Sequence, residues 1–156
     1  VFIGYGASEI AENAKLRTHP RLLDVAGKLT LEETMGCLAQ AAAVVTNDSA
    51  PLHLALATGV PVIGIFGPTR PQAYFQSAHP ASRWFYEGIY CSPCVHHWEP
   101  TPCGGDNQCM KRIPVIPVFE ATRAAAKLPP GRHAPGAPPA SPEAPFYAGL
   151  IHERKR

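Results

Sequence analysis

The chain has 156 residues, of which 46% are apolar, and a formal net charge of only +2. This length and composition are typical of one soluble domain with a hydrophobic core. The near balance of 14 basic and 12 acidic residues excludes the dense basic surface that binds a phosphate backbone, so no nucleic-acid partner is expected. The sequence has neither a run of about 18 apolar residues nor a signal peptide, which predicts a cytoplasmic location.

The first residues predict a βα unit. Residues 1–4 form an apolar run typical of a strand that is buried on both faces of a parallel sheet. A turn follows at residues 5–8, in which Ser8 is the expected N-cap of a helix over residues 9–16. Because the chain starts inside an apolar strand and without an initiator Met, we expect it to be part of a longer protein.

The second predicted helix begins at a capping box. Thr30 and Glu33 stand three residues apart, so their side chains can each accept a hydrogen bond from an N–H group of the first turn. The apolar residues that follow at helical spacing predict a stripe along one face of this helix. They are Leu31, Met35, Leu38 and Ala42.

Strands and helices then alternate along the chain. Residues 43–46 and 60–66 are predicted as buried strands, and residues 51–58 as the helix between them. Alternation at this interval predicts an α/β fold with a Rossmann-like parallel sheet and right-handed crossovers. Beyond Thr69 the sequence is irregular and Cys-bearing, which predicts a loop-rich appendage.

A last helix is predicted over residues 115–127, and it ends the predicted domain, residues 1–127. The remaining segment, residues 128–156, contains seven prolines together with Gly, Ala and Ser. Such a composition cannot bury enough apolar surface to offset the entropy of the chain. We therefore expect a disordered tail.

The turn at residues 46–53 is the strongest candidate for a ligand site. In an open parallel sheet, ligands bind beyond the carboxyl ends of the strands, and Asp48 and Ser49 stand at that position. The N–H groups of the following helix start favour an anion such as a diphosphate. A carboxylate beside a phosphate is unusual unless Asp48 accepts hydrogen bonds from sugar hydroxyls, which favours a sugar nucleotide. The alternative is ordinary N-capping by Asp48 or Ser49, with His53 as a packing residue.

The motifs around this turn resemble those of glycosyltransferase family 9, the ADP-heptose:lipopolysaccharide heptosyltransferases. The segment TNDSAPLHLA at residues 46–55 is followed by GVPV at residues 59–62 and FGPT at residues 66–69. The likeness extends to about residue 127 and includes CSPC and CMKRI, which look like the cysteine-bearing segment of the heptosyltransferase II-like branch.

This resemblance implies a GT-B architecture, in which two Rossmann-like domains face a cleft and the C-terminal one holds the nucleotide sugar. By analogy, Asp48 would contact hydroxyls of the donor heptose. Ser49 and the backbone amides of Ala50, Leu52 and His53 would hold the diphosphate. Gly4 and Gly6 would line the adenosine side, and the turn that carries Leu31 would lie near the base.

The implied reaction is inverting transfer of heptose from ADP-heptose to a hydroxyl of the lipopolysaccharide inner core, at the cytoplasmic face of the inner membrane. No cofactor is implied. In the family a carboxylate base comes from the N-terminal domain, and a Lys or Arg that neutralises the diphosphate follows the first strand of the C-terminal domain. Neither is present, so we expect this chain alone to bind donor weakly and to catalyse nothing. The family usually has Gly where this chain has Ala50, which a negative φ would tolerate.

Four cysteines form the second candidate site. Cys91 and Cys94 make a CxxC, and Cys103 and Cys109 follow, so four thiolates could hold a structural zinc. The alternative in a reducing cytosol is free thiols. Cys37 is interpreted as a core residue. The aromatic residues before the CxxC predict a small satellite core or, alternatively, a wall of the acceptor cleft; they are Trp84, Phe85, Tyr86 and Tyr90.

Two other functions compete with a donor-binding half of a glycosyltransferase. One is a nucleotide-binding module without catalytic activity, and the other is an interaction domain stabilised by zinc. Nucleotide affinity and bound metal separate these hypotheses.

Overall fold

A computed structural model of the chain describes residues 1–16, 20–95, 97 and 99–127. The chain divides into two compact units, residues 1–40 and the residues from 41 onward. The predicted tail, residues 128–156, lies outside the described residues, and the single domain over residues 1–127 stays a prediction. In the described part of the chain, no helix has the length and hydrophobicity that crossing a bilayer requires.

The first unit contains two helices, α1 (Ala7–Lys15) and α2 (Leu31–Ala39). Before α1, Phe2 forms an isolated parallel bridge with Asp24, and the N–H of Phe2 donates to the carbonyl of Leu23 over 2.7 Å. The prediction of a strand buried on both faces at residues 1–4 is wrong: Val1 is 70% exposed, and the pairing is limited to one bridge. Asp24 interrupts the apolar residues on either side of it, and the sequence analysis did not assign this segment to a strand.

Helix α1 begins earlier than predicted because its N-cap is Gly6, not Ser8. Gly6 has a φ of 96°, a left-handed conformation that a glycine adopts without steric cost. The carboxylate of Glu9 accepts a hydrogen bond of 2.8 Å from the N–H of Tyr5. A backbone turn and an acidic side chain therefore start this helix, and Ser8 lies inside it.

Helix α2 begins at the predicted capping box, which is confirmed. The Thr30 hydroxyl accepts a bond of 3.2 Å from the N–H of Glu33, and the Glu33 carboxylate accepts one of 2.8 Å from the N–H of Thr30. The predicted apolar stripe is only partly correct. Leu38 is buried, whereas Leu31 is 62% exposed and Ala42 lies beyond the end of the helix.

The second unit contains a three-stranded parallel sheet in the order β1 (Val44–Asn47), β2 (Val62–Phe66), β3 (Arg83–Tyr86). Helix α3 (Ala50–Thr58) connects β1 to β2. Val44 pairs with Val62 in the register of the first two strands. The α/β, parallel prediction is confirmed, and the sheet is consistent with a Rossmann-like domain.

Strand β2 forms the centre of the core. Val62, Ile63 and Phe66 have no exposed surface, and neither have Leu52 and Ala55 of α3. These buried side chains come from both the strand and the helix, as expected for a central parallel strand covered by a helix. The core thereby fixes where β2 ends and where α3 starts.

Three elements beyond β2 were not predicted. They are α4 (Pro71–Tyr74), β3, and α5 (Gln108–Lys111). The aromatic residues 84–86 form most of β3 and are half-buried, so the prediction of an irregular segment there is wrong. Helix α6 (Val115–Ala126) confirms the last predicted helix, and both α5 and α6 contact β2.

Candidate functional site

The described residues of the second unit form a pocket at the carboxyl ends of β1 and β2. Its volume is about 490 Å³. The predicted turn contributes Asp48, Ser49, Ala50 and His53. The other lining residues are Asn47, Ile65, Gly67, Pro68, Thr69, Tyr74, Val95, Asn107 and Met110. The position is the one that a parallel sheet predicts for a ligand.

Ser49 stands at the N-cap position of α3, with an extended backbone, but its side chain does not cap the helix. Its hydroxyl instead donates a hydrogen bond of 2.8 Å to the side-chain oxygen of Asn47. N-capping by the Ser49 hydroxyl is therefore wrong. Ala50 has no positive φ, so its Cβ is tolerated at this helix start, as the sequence predicted.

Leu52 differs from the other residues of the turn. Its side chain is completely buried, and its N–H donates a bond of 2.9 Å to the carbonyl of Ser49. This amide is thus already used within the first turn of α3. The structure places Leu52 in the core rather than along the pocket.

Asp48 and His53 face each other across the start of α3. The distance between Nε2 of His53 and Oδ1 of Asp48 is 3.9 Å, and the side chains are 54% and 14% exposed respectively. The imidazole also lies edge-on to Tyr74, with ring centroids 6.4 Å apart. No described residue donates a hydrogen bond to the carboxylate of Asp48, the acidic residue among those that line the pocket.

The turn after β2 supplies a second unsatisfied group. The Oγ1 atom of Thr69 is buried and, among the described residues, has no hydrogen-bond partner. Gly67 precedes it, and a Cβ at Gly67 would lie 2.6 Å from Sδ of Met110 and 2.8 Å from Sγ of Cys109. The absence of a side chain at residue 67 therefore allows α5 to pack directly against this turn.

The cysteine segment, defined as the described part of residues 91–110, borders the pocket. The N–H of Cys94 donates a bond of 2.9 Å to the carbonyl of Pro68, and the hydroxyl of Ser92 donates to the carbonyl of Gly67. Val95, Asn107 and Met110 of this segment line the pocket. The segment therefore forms part of the pocket wall, a role that the sequence analysis did not assign to it.

The four cysteines of this segment are free thiols in different environments. Desolvation by burial raises the pKa of the Cys109 thiol. Hydrogen bonds from the backbone of Asn107, and next from that of Gly105, lower the pKa of Cys103. Within the described residues, no group of three or more Cys, His, Asp or Glu side chains is arranged to hold a metal ion. The zinc site on Cys91, Cys94, Cys103 and Cys109 stays a prediction.

Three residues predicted to contact the nucleotide lie in the first unit. A Cβ at Gly4 would come within 2.7 Å of Oε2 of Glu9, and Gly6 needs its positive φ as the N-cap of α1. Leu31 opens α2 with an exposed side chain. Both glycines thus have local structural reasons to be glycine, and the assignment of all three to adenosine stays a prediction.

Comparison with protein families identifies the chain. A sequence model described as glycosyltransferase family 9 (heptosyltransferase) matches residues 2–103, more than half of the chain. The chain belongs to this family. The matched region includes the turn at Asp48 and the turn at Thr69, and thus most of the residues that line the pocket.

One curated family 9 relative is the lipooligosaccharide heptosyltransferase 2 of Haemophilus influenzae. It is 46% identical to this chain over 50 residues, which cover 32% of the chain and 14% of the relative. The chain thus corresponds to well under two thirds of that protein. No solved structure matches the chain.

The family 9 match ends before two of the pocket residues. Asn107 and Met110 lie beyond residue 103 and reach the pocket because α5 packs on Gly67. Sequence reasoning also missed Tyr74, and no pattern in the sequence singled it out. Arg70, which directly follows the FGPT motif, is exposed at the start of α4 and does not line the pocket.

Proposed function

We propose that this pocket binds the sugar and the diphosphate of a nucleotide-sugar donor, with ADP-heptose as the donor that the family resemblance favours. The observation that supports the proposal is the carboxylate of Asp48. Its side chain is 14% exposed, and Nε2 of His53 lies 3.9 Å from Oδ1, which is beyond hydrogen-bond distance. A carboxylate largely withdrawn from water needs donors, and sugar hydroxyls supply them.

The start of α3 suits the diphosphate. Ser49, Ala50 and His53 line the pocket at the N-terminal end of a nine-residue helix, and no side chain caps that end. Backbone N–H groups and the helix dipole favour an anion at this position. If the neutral sugar lies next to Asp48 and the diphosphate lies next to the helix start, the negative charge of Asp48 is kept apart from that of the diphosphate.

The reaction proposed for the protein is inverting transfer of heptose to a hydroxyl of a lipopolysaccharide acceptor. The bond between the sugar carbon C1 and the diphosphate oxygen breaks, and a bond from the acceptor oxygen to C1 forms. The diphosphate leaves with the electron pair, and the acceptor proton passes to a carboxylate base. In the GT-B arrangement that we propose, this base lies in the partner domain across the cleft, at the cytoplasmic face of the inner membrane.

Calorimetric titration with ADP and with ADP-heptose tests the donor site. We expect wild type to bind ADP-heptose more tightly than ADP, and Asp48→Ala to lose roughly 10-fold or more of the ADP-heptose affinity, because a charged hydrogen bond disappears. ADP affinity should stay equal or rise, since a negative charge near the diphosphate is removed. Glu120→Ala, which removes the same charge from an exposed position of α6, is the matched control.

Two outcomes contradict the proposal. If heptose adds no affinity over ADP, the pocket does not bind the sugar. If Asp48→Ala and Glu120→Ala have the same affinity for ADP-heptose, Asp48 has no part in binding the sugar. ADP binding without transfer in the presence of acceptor and an active N-terminal half would favour a non-catalytic nucleotide-binding module. Stoichiometric zinc without nucleotide affinity would favour the zinc-stabilised interaction domain.

A further inference from the structure

The cysteine segment forms one wall of the pocket, and the proposed function assigns no role to it. Asn107 and Met110 lie at the end of the cysteine segment, and both line the pocket that contains Asp48. They lie beyond the region that the family model matches.

The wall is fixed to the rest of the pocket at several points. Met110 and Cys109 pack against the bare Cα of Gly67, where even a methyl group would collide with both sulfur atoms. Cys109 is buried, and the N–H of Cys94 donates to the carbonyl of Pro68. Because these contacts hold the start of α5 against the turn after β2, Asn107 has a defined position at the pocket.

Asn107 has an unusual backbone conformation. Its φ is 53° and its ψ is 42°, and it is the non-glycine residue with a positive φ within residues 1–16, 20–95, 97 and 99–127. Asn tolerates this left-handed conformation better than most residues, but glycine adopts it more easily. Glycine is therefore a replacement that the backbone accepts here, and any property that Asn107 has and glycine lacks comes from its side chain.

The carboxamide of Asn107 is available to a ligand. Asn107 is exposed, and its side chain makes no hydrogen bond to any described residue. The backbone is satisfied, because its carbonyl accepts bonds from the N–H groups of Met110 and Lys111, at 2.9 Å and 3.0 Å. The local fold therefore uses the main chain of this residue and leaves its carboxamide without a described hydrogen-bond partner.

We infer that Asn107 hydrogen-bonds a hydroxyl of the donor sugar and is a specificity-determining residue of the pocket. A carboxamide both donates and accepts, as a sugar hydroxyl does, whereas a diphosphate offers acceptors alone. Asp48 can only accept, so the two side chains together distinguish the orientation of neighbouring hydroxyls. This inference rests on the proposed donor site and adds to it the group that selects among sugars.

The test compares wild type with Asn107→Gly for binding of ADP, ADP-heptose and ADP-glucose, by titration and by saturation-transfer NMR, which detects weak complexes. Glycine at residue 107 keeps the left-handed backbone, so thermal unfolding should be unchanged or shifted upward. We expect ADP affinity to stay within about twofold and ADP-heptose affinity to fall roughly 3- to 10-fold, as for loss of one neutral hydrogen bond. The preference for heptose over glucose should shrink. Gln108→Ala removes an amide side chain next to the pocket and serves as the control.

The outcomes separate this inference from the proposed function. If wild type gains nothing from the sugar, the donor site itself is wrong, and the inference falls with it. If wild type gains affinity from heptose and Asn107→Gly retains the whole gain, the donor site stands and Asn107 has no part in sugar recognition. An equal loss for ADP and ADP-heptose would place the contact on the nucleotide and overturn the inference as well.

Discussion

The imidazole of His53 lies 3.9 Å from the carboxylate of Asp48, and both side chains line the same pocket. The pair joins the loop after β1 to the first turns of α3. His53 is 54% exposed, so the pair lies where solvent screens it and where a ligand can reach it. Its contribution to binding and its contribution to stability can therefore be measured separately.

We expect His53→Gln to weaken ADP-heptose binding several-fold and to change the free energy of unfolding by less than about 1 kcal/mol. The reason is that a half-exposed imidazole 3.9 Å from a carboxylate adds little stability, whereas without His53 the Asp48 side chain has no described polar neighbour that holds its orientation. Titration and chemical denaturation give the two values. Gln72→Ala, at an exposed position of α4 outside the pocket, should leave both unchanged. A large loss of stability with unaltered affinity would contradict this prediction.

Thr69→Val should stabilise the protein by about 1 kcal/mol, because it replaces a buried hydroxyl that has no described partner by a methyl group of similar size. Urea denaturation measures the change. Thr122→Val is the matched control: the Thr122 hydroxyl donates a bond of 2.7 Å to the carbonyl of Val118, so the same substitution removes a formed bond. If the two substitutions change the stability equally, the hydroxyl of Thr69 forms a hydrogen bond in solution.

Thr30→Ala should cost about 1 kcal/mol of stability, the usual value for the loss of an N-cap. The Thr30 hydroxyl accepts the N–H of Glu33 in a complete capping box. Ser8→Ala tests the corrected start of α1: because Gly6 is the N-cap, this substitution should change the free energy of unfolding very little. A cost at Ser8 comparable to that at Thr30 would restore Ser8 as the N-cap.

Stability should fall as the pH decreases through the range in which His79 titrates. Burial lowers the pKa of His79 below its ordinary value of 6.5, and its Nδ1 accepts a bond of 3.1 Å from the N–H of Ala81. Above pH 6.5 the ring is neutral in both the folded and the unfolded chain. Below it the unfolded chain takes up the proton first, so the folded state loses stability toward lower pH.

Thermal unfolding between about pH 7 and about pH 5 checks this dependence. His79→Asn keeps an acceptor for Ala81 without the titration and should flatten the slope, whereas His97→Asn, at an exposed position, should not. If the slope is the same in wild type and in His79→Asn, the dependence comes from other groups.

Thiol alkylation should distinguish the four cysteines of the cysteine segment. Backbone hydrogen bonds lower the pKa of Cys103, so a larger fraction of it is thiolate at neutral pH, while burial raises the pKa of Cys109. We expect iodoacetamide to modify Cys103 first and Cys109 last, as read by peptide mass spectrometry. If all four cysteines are instead protected from alkylation, and a chelator abolishes that protection, the result supports the predicted zinc site.

The part of the fold that the sequence predicted well is the β1–α3–β2 region. There β2 is a continuous apolar run that is buried, and the helix has Pro51 in its first turn, so local preference and burial agree. Strand β1 forms as predicted, but it is not buried throughout, since Val45 is 46% exposed. Strand β3 was missed because its aromatic run was interpreted as loop packing, although such residues favour strands. The start of α1 was predicted wrongly because Gly6, through its backbone conformation, is the N-cap. The prediction had chosen Ser8, whose side chain is a good capping group.

The pocket was predictable only where one motif forms it. Asp48 and His53 stand together in the sequence and in space, but Asn107 joins them only after the chain has formed β2, β3 and the packing on Gly67. Long-range contacts of this kind leave no periodic pattern. The sequence therefore indicated the turn that contributes Asp48, Ser49, Ala50 and His53, and tertiary packing supplied most of the other lining residues.

The packing at Gly67 affects which amino-acid substitutions the pocket tolerates. In a library that samples every residue at each pocket position, variants at His53 should accumulate in a folded but altered population, because its side chain is 54% exposed. Variants at residue 67 should instead disappear from the folded population, since any side chain there displaces Cys109 and Met110. The smallest residue of the pocket would thus be its least replaceable one, and its depletion in such a library would show that the cysteine segment and the sheet fold as a single piece.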